Sequence, residues 1–315
     1  MGLPKPALQF LALEHGRKAF AGTVVTLGRQ CVYATLAECQ KILLDAGIVP
    51  RELPSQAETQ TQIPSWRGTK RERYTTDRAF FSLLGIDDCI AADCSDYEGA
   101  EIIIDLNQPL AGQLHSLADI VIDGGTLEHV FDVRQGLTNV SLMLKPGGRI
   151  IHMSPANNYA NHGFYQFSPT LYADYYRANR FENVGVFAVE ERLRGGDTAT
   201  WDIFELDQRR QPLMMTSATP RRMLTLCVAE KGADSTINEV PIQSSYEIVF
   251  EMDAASSVDG PATHQPKLWF NRLAKRVMPD SCYFALRDLW SKFRPYIFGD
   301  PAKKPWGLKR WKTLR

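Results

Sequence analysis

Apolar positions along this chain fall into two spacings. Short, nearly unbroken apolar runs lie at residues 23–28 (TVVTLG), 89–93 (CIAAD), 101–105 (EIIID), 119–123 (DIVID), 149–153 (RIIHM), 184–189 and 223–229. Runs of this kind, rich in β-branched residues, suit strands covered on both faces. Between them, 33–46, 77–84, 133–144 and 170–179 carry apolar residues at helical spacing. Gly47 closes the first helix and Lys145-Pro146-Gly147-Gly148 the third, while Ser168-Pro169 supplies a cap and a first-turn proline for the last. The alternation predicts an α/β fold: a doubly wound, mostly parallel, seven-stranded sheet.

Three stretches break the pattern. Residues 48–75 are polar and punctuated by proline, and predict a long loop or lid within a main domain spanning 1–230. Residues 231–266 read as a polar linker with a strand candidate at 246–250. From 267 to 315 the chain turns basic, with apolar residues at helical spacing in 268–278 and 282–293, which predicts an amphipathic helical tail.

Composition adds bounds. With 315 residues, 44% hydrophobic and 23% charged, the chain has ordinary globular make-up. No run approaches the roughly 18 apolar residues of a spanning helix, and the first residues lack the apolar core of a secretory signal. The six cysteines are scattered without a C-x-x-C pair, so reduced thiols in a cytoplasmic setting are expected, with neither a disulfide framework nor a metal site. The net charge of zero hides an asymmetry. The last 49 residues hold 13 Lys/Arg against three Asp, so the preceding 266 carry −10. Such a tail suits an anionic membrane surface, a protein partner or the acidic main domain itself; nucleic acid ranks last, since no RNA-reading module is present.

Ligands of open parallel sheets sit beyond the carboxyl ends of the strands. Here the strands end at Gly28, Asp93, Asp105 and Asp123. An Asp after the second strand can accept both hydroxyls of a ribose. An Asp after the third, followed by Leu106, can accept an exocyclic amine while the leucine packs on a purine. Asp is also an ordinary strand-end residue, but three in order behind a strand ending in glycine favour a site.

The segment ADIVIDGGTLEHVFDVRQGLTNVSLMLKPGGRIIHMSP (118–155) resembles the core of the class I S-adenosylmethionine-dependent methyltransferases, through Leu127-Glu128-His129 and Leu144-Lys145-Pro146-Gly147-Gly148 at that family's spacing. The resemblance implies S-adenosylmethionine as cofactor. It places Gly28 in the cofactor loop, Asp93 on the ribose and Asp105-Leu106 on the adenine. The chain departs from the family's Gly-x-Gly-x-Gly loop, offering Gly28-Arg29-Gln30-Cys31-Val32. Arg29 or Gln30 can grip the cofactor carboxylate there; equally, the bulk of Arg29 and Cys31 can fill the space. A dinucleotide dehydrogenase fits less well, because it leans more heavily on that glycine array.

Methyl transfer needs orientation first and a base where the acceptor is a hydroxyl. His129, with Glu128 beside it, and His162 are the base candidates, whereas His152 inside the fifth strand reads as core. The loop 155–168 (PANNYANHGFYQFS) crowds Asn157, Asn158, His162 and Tyr165 where the family forms its acceptor pocket, which suits a small-molecule or saccharide acceptor. Those amides can instead satisfy the loop's own backbone. Two functional readings follow: an O- or N-methylating enzyme, or a non-catalytic scaffold or regulator that keeps the fold without the donor site.

Overall fold

The computed structural model describes residues 2–53, 60–62, 73–194, 198–206, 221–244, 246 and 310–314. In chain order its elements are β1 (Gly2–Leu3), α1 (Lys5–Arg17), β2 (Val24–Leu27), β3 (Cys31–Val32), α2 (Leu36–Asp45), β4 (Gln60–Gln62), β5 (Arg73–Thr75), α3 (Asp77–Leu83), β6 (Cys89–Asp93), β7 (Ile102–Ile103), β8 (Ala118–Asp123), α4 (Val133–Met143), β9 (Leu144–Asn157), α5 (Pro169–Ala178), β10 (Glu182–Arg194), β11 (Thr198–Glu205), β12 (Arg222–Glu230) and β13 (Arg310–Leu314). Two compact units divide the chain: one holds 1–211, 218–242 and 310–315, the other 212–217 and 243–309. Everything below concerns the first.

Its main sheet has nine strands in the order β13-β11-β10-β12-β9-β8-β2-β6-β7. The strands from β7 to β9 pair in parallel, in the order of a doubly wound nucleotide-binding sheet, with the order reversing between β2 and β8. From β9 outward every pairing is antiparallel. The expected seven-stranded, mostly parallel sheet is therefore corrected to a mixed sheet of nine. β11 and β13 are the two strands that the apolar runs did not announce. β11 (TATWDIFE) alternates too weakly to stand out, yet buries Trp201, Ile203 and Phe204.

The core explains the boundaries. Val24, Val25 and Leu27 on β2, and Val121 and Ile122 on β8, are fully enclosed, as strands covered on both faces require. α2 starts on a Thr35–Glu38 capping box and α5 on Ser168, whose side chain accepts from the Thr170 amide. α1 was not expected from the periodicity. It opens after Pro4 and buries Leu8, Phe10 and Leu11, and Arg149 of β9 ties down its end by donating to the carbonyls of Glu14 (3.1 Å) and Lys18 (2.6 Å).

Several expectations change at the chain's polar stretches. Of the lid at 48–75, residues 54–59 and 63–72 lie outside the described residues, and β4 pairs with β5 antiparallel. The linker at 231–266 begins as packed structure: Lys231 donates to the carbonyls of Ser141 and Leu144 (2.7 and 2.8 Å), and Asn179, the C-cap of α5, holds Thr236 and Glu239. Of the strand candidate at 246–250 only Tyr246 is described, and it sits in a helical turn; 247–250 and both amphipathic segments of the basic tail lie outside the described residues. The tail's end is not helical. Residues 310–314 form β13 on the edge of the sheet, with Leu314 buried and Thr313 donating to Asp202 at 2.7 Å. Among the described residues, no helix is long and apolar enough to cross a membrane.

Candidate active site

The carboxyl ends of the parallel strands form one edge of the site. β2 ends at Gly28, whose φ of 72° only glycine adopts without strain, and whose amide donates to Ala92 at 2.7 Å. The next two side chains turn in different directions. Arg29 reaches Asp77 (3.2 Å), the Gly99 carbonyl (2.9 Å) and the Glu101 carboxylate, so its charge is engaged away from the turn. Gln30 is buried. Its amide nitrogen donates to the carbonyls of Leu27 (2.8 Å) and Gly28 (3.1 Å), while its Oε1 has no partner. That oxygen faces Gly124, where a Cβ would lie 2.3 Å from it.

Asp93 is partly exposed at the end of β6, where it accepts a long bond, 3.3 Å, from the Ser95 amide and is also hydrogen-bonded by the Cys94 side chain. Asp105 lies beyond β7, and Asn107 closes a turn on it through backbone and side chain (2.9 and 2.8 Å). Those bonds hold its carboxyl below the usual range. Leu106 beside it is buried. Asp123 is enclosed completely. Its Oδ1 accepts from the Thr126 amide (2.8 Å) and its Oδ2 from His152 Nδ1 (2.7 Å), while the other ring nitrogen of His152 meets the Tyr176 hydroxyl at 2.6 Å. With Nδ1–H donating to the carboxylate, Nε2 is left to pair with the tyrosine hydroxyl, and Tyr172 stacks on the ring face at 4.4 Å. His152 is thus the satisfied core residue its position suggested, and Asp123 faces the interior with it.

Beside this edge a cavity of about 870 Å³ opens between the ends of β8 and β9 and the antiparallel strands. Glu128, His129, Asn158 and His162 line it; Asn157, Tyr165 and the residues at the ends of β2, β6 and β7 do not. Glu128 and His129 sit on a short 3-10 turn after β8, which Thr126 anchors to the Leu27 carbonyl at 2.7 Å. The loop after β9 closes onto that turn. The amides of Phe164 and Tyr165 donate to the Glu128 carbonyl (2.8 and 3.2 Å), and a Cβ on Gly163 would lie 2.8 Å from that oxygen, so glycine permits the approach. The result brings His162 Nε2 to 3.5 Å and His129 Nε2 to 3.9 Å from Glu128 Oε1.

Burial dominates the electrostatics of this cluster. It pushes the Glu128 carboxyl up to about 8, with the nearby charge of Asp123 adding to the rise. Burial also lowers His129, helped by His162, and lowers His162, helped by Arg222. Near neutral pH the carboxyl therefore keeps its proton and both imidazoles are neutral. Glu128 Oε2 is buried without a hydrogen-bond partner.

The remaining loop residues divide between the two expected roles. Asn158 donates to the Arg221 carbonyl (2.6 Å) and accepts its place in the loop with a φ of 60°; Asn157 accepts from the Asn158 amide; Tyr165 donates to the Phe131 carbonyl (2.7 Å). These are backbone-satisfying bonds. Other cavity residues were not anticipated. Tyr159 donates to Glu191 (3.0 Å), Trp201 donates to the same carboxylate (3.2 Å), and Arg222 lies over the Tyr159 ring at 5.3 Å. Tyr159 stood in the quoted loop; the others come from strands whose facing partners only the sheet order reveals.

No family model matches the chain, and no curated protein matches it. Solved structures with a similar arrangement include the CMeT domain of citrinin polyketide synthase, at 9% identity over 49% of this chain and 41% of that one, TM-score 0.33. The trans-methyltransferase CalH in complex with SAH is 13% identical over 70% of this chain and 55% of that one, TM-score 0.33. An SAM-dependent methyltransferase from Archaeoglobus fulgidus is 11% identical over 71% of this chain and 94% of that one, TM-score 0.34. The chain spans about half the length of the first two.

Proposed function

We propose that this chain transfers the methyl group of S-adenosylmethionine to an oxygen or nitrogen of a small-molecule or glycan-like acceptor. The observation that carries the reading is the Glu128–His129–His162 cluster. Its two neutral imidazoles face a cavity directly beyond β8, next to the point where the strand order reverses. When bound, the cofactor supplies an electrophilic methyl group on a sulfonium centre.

The residues at the strand ends fit such a donor. Gln30 Oε1, buried and without a partner against Gly124, suits an ammonium group. Asp93 keeps its carboxylate available for vicinal hydroxyls, and Leu106 offers an apolar edge beside Asp105. Arg29 has no part in this arrangement, since Asp77 and Glu101 hold it. On the acceptor side, His129 or His162 accepts the proton of a hydroxyl as the new bond forms, and protonated Glu128 keeps the pair neutral. Tyr159, Glu191 and Trp201 give the opposite wall the mix of aromatic faces and acceptors that sugars use.

The test is transfer of a labelled methyl group from S-adenosylmethionine to a panel of monosaccharides and small hydroxylated or amine-bearing compounds. Transfer is expected, and replacing both His129 and His162 by alanine should reduce it at least about 100-fold for a hydroxyl acceptor. The second reading, a scaffold that no longer binds the donor, is favoured by one observation: Arg29 and Gln30 both fold back on the protein and not outward. Folded protein that neither transfers methyl nor binds the donor would establish it.

A further inference from the structure

We infer that Glu128, His129 and His162 form a binding site for a divalent first-row transition-metal cation. One ring nitrogen each of His129 and His162 and one Glu128 oxygen all lie within 4.8 Å of one another. Two of the separations are 3.5 and 3.9 Å. Ligands about 2.1 Å from a tetrahedral metal stand about 3.4 Å apart, so small side-chain rotations close the set around an ion. Two imidazoles and one carboxylate form a donor set that suits zinc, iron or cobalt better than magnesium or calcium, which prefer all-oxygen cages.

A second, independent feature points to a ligand. Glu128 is 1% exposed, its Oε2 lies within the protein without a hydrogen-bond partner, and the side chain faces the cavity wall where both histidines end. An orphaned buried carboxylate oxygen is costly unless something positive meets it. Arg222 does not, because its guanidinium rests over the Tyr159 ring. The geometry is also held from outside the cluster. Gly163 lets the loop after β9 approach the Glu128 backbone, and two loop amides pin it there, so the two histidines come together from separate elements. The histidines are 43% and 47% exposed toward the cavity, which leaves the other coordination positions to water or to oxygens of an acceptor. A cation there would polarise a bound hydroxyl in place of direct proton acceptance by an imidazole. The site is defined without reference to the methyl donor and goes beyond the reading above.

Titration of chelator-treated protein with cobalt(II) chloride, followed by calorimetry and visible absorption, tests the site. One cobalt ion per chain should bind, with a visible band that zinc(II) then displaces. His162→Ala should weaken cobalt binding at least about tenfold and abolish the band while the fold, read by circular dichroism, is kept. Glu128→Gln should do the same; because Glu128 is buried and His162 is half exposed, the histidine variant is the control for folding. Folded wild-type protein that binds neither metal, or binding left unchanged in both variants, would overturn the proposal. No methyl donor is present in the titration, so this outcome and that of donor binding are read separately.

Discussion

Two regions at the carboxyl edge of the same sheet treat their polar groups in opposite ways. Around β2, β6 and β7, most charged groups are already paired: Arg29 with Asp77 and Glu101, Asp105 with Asn107, and, one strand further, Asp123 with His152. Across β8 and β9, Glu128, His129 and His162 face one another at 3.5 Å and more around a cavity, and a buried Glu128 oxygen is left over. A buried polar group that has its partners is holding the fold together; one without them is where a ligand gains most. By that measure the first side offers a ligand the unpartnered Gln30 Oε1 and the loosely held Asp93 carboxylate, against the entire cluster on the second.

The largest expected effect breaks the structural side of this contrast. His152→Ala leaves the enclosed Asp123 carboxylate and the Tyr176 hydroxyl without their shared partner, and should cost about 3–5 kcal/mol in denaturant unfolding. A loss below about 1 kcal/mol would show that the buried chain contributes little.

Next comes the pH dependence of the cluster. The folded chain holds the Glu128 proton up to about 8 against an ordinary value of 4.5. Stability from this group is therefore complete below about pH 4.5 and is lost as pH rises toward 8. Metal-free Glu128→Gln, which cannot ionise, should gain a few kcal/mol relative to wild type between pH 5 and pH 8.5. Parallel stability curves would place the carboxylate in a better-solvated setting than its burial indicates.

A smaller change sharpens the role of the loop. Gly163→Ala puts a methyl group against the Glu128 carbonyl and should cost about 1–2 kcal/mol while pushing His162 away from Glu128. An unchanged melting curve together with unchanged cobalt affinity would show that the loop tolerates the displacement.

The two regions also differ in how far the sequence shows them. Strand ends such as Asp93 and Asp123 were legible to the residue, because buried parallel strands are continuous apolar runs that stop abruptly. The Glu128–His129 turn and the His162 loop were legible through the pattern at 118–155 and the density of amide and aromatic residues beyond it. Their meeting was not, since it depends on Gly163 approaching a backbone oxygen that is distant in sequence. β7 shrank to Ile102–Ile103 although the apolar run extends through Ile104, because it pairs only with the end of β6 at the sheet's edge. β13 was hidden for the opposite reason: its residues are basic and aromatic, and their strand character comes entirely from pairing with β11. Asp123 could not be separated from Asp93 by type or position. Only the His152 ring behind it shows that one carboxylate faces inward and the other outward.

The claim on which the functional reading turns is that the strand ends still take the donor. Calorimetric titration of the wild-type protein and of Asp93→Ala with S-adenosylmethionine and its demethylated product tests it directly. The account predicts micromolar binding of both compounds to wild type, and affinity at least about tenfold weaker once the Asp93 carboxylate is removed. Folded wild-type protein that binds neither compound, or an Asp93→Ala variant that binds them as tightly as wild type, would contradict it.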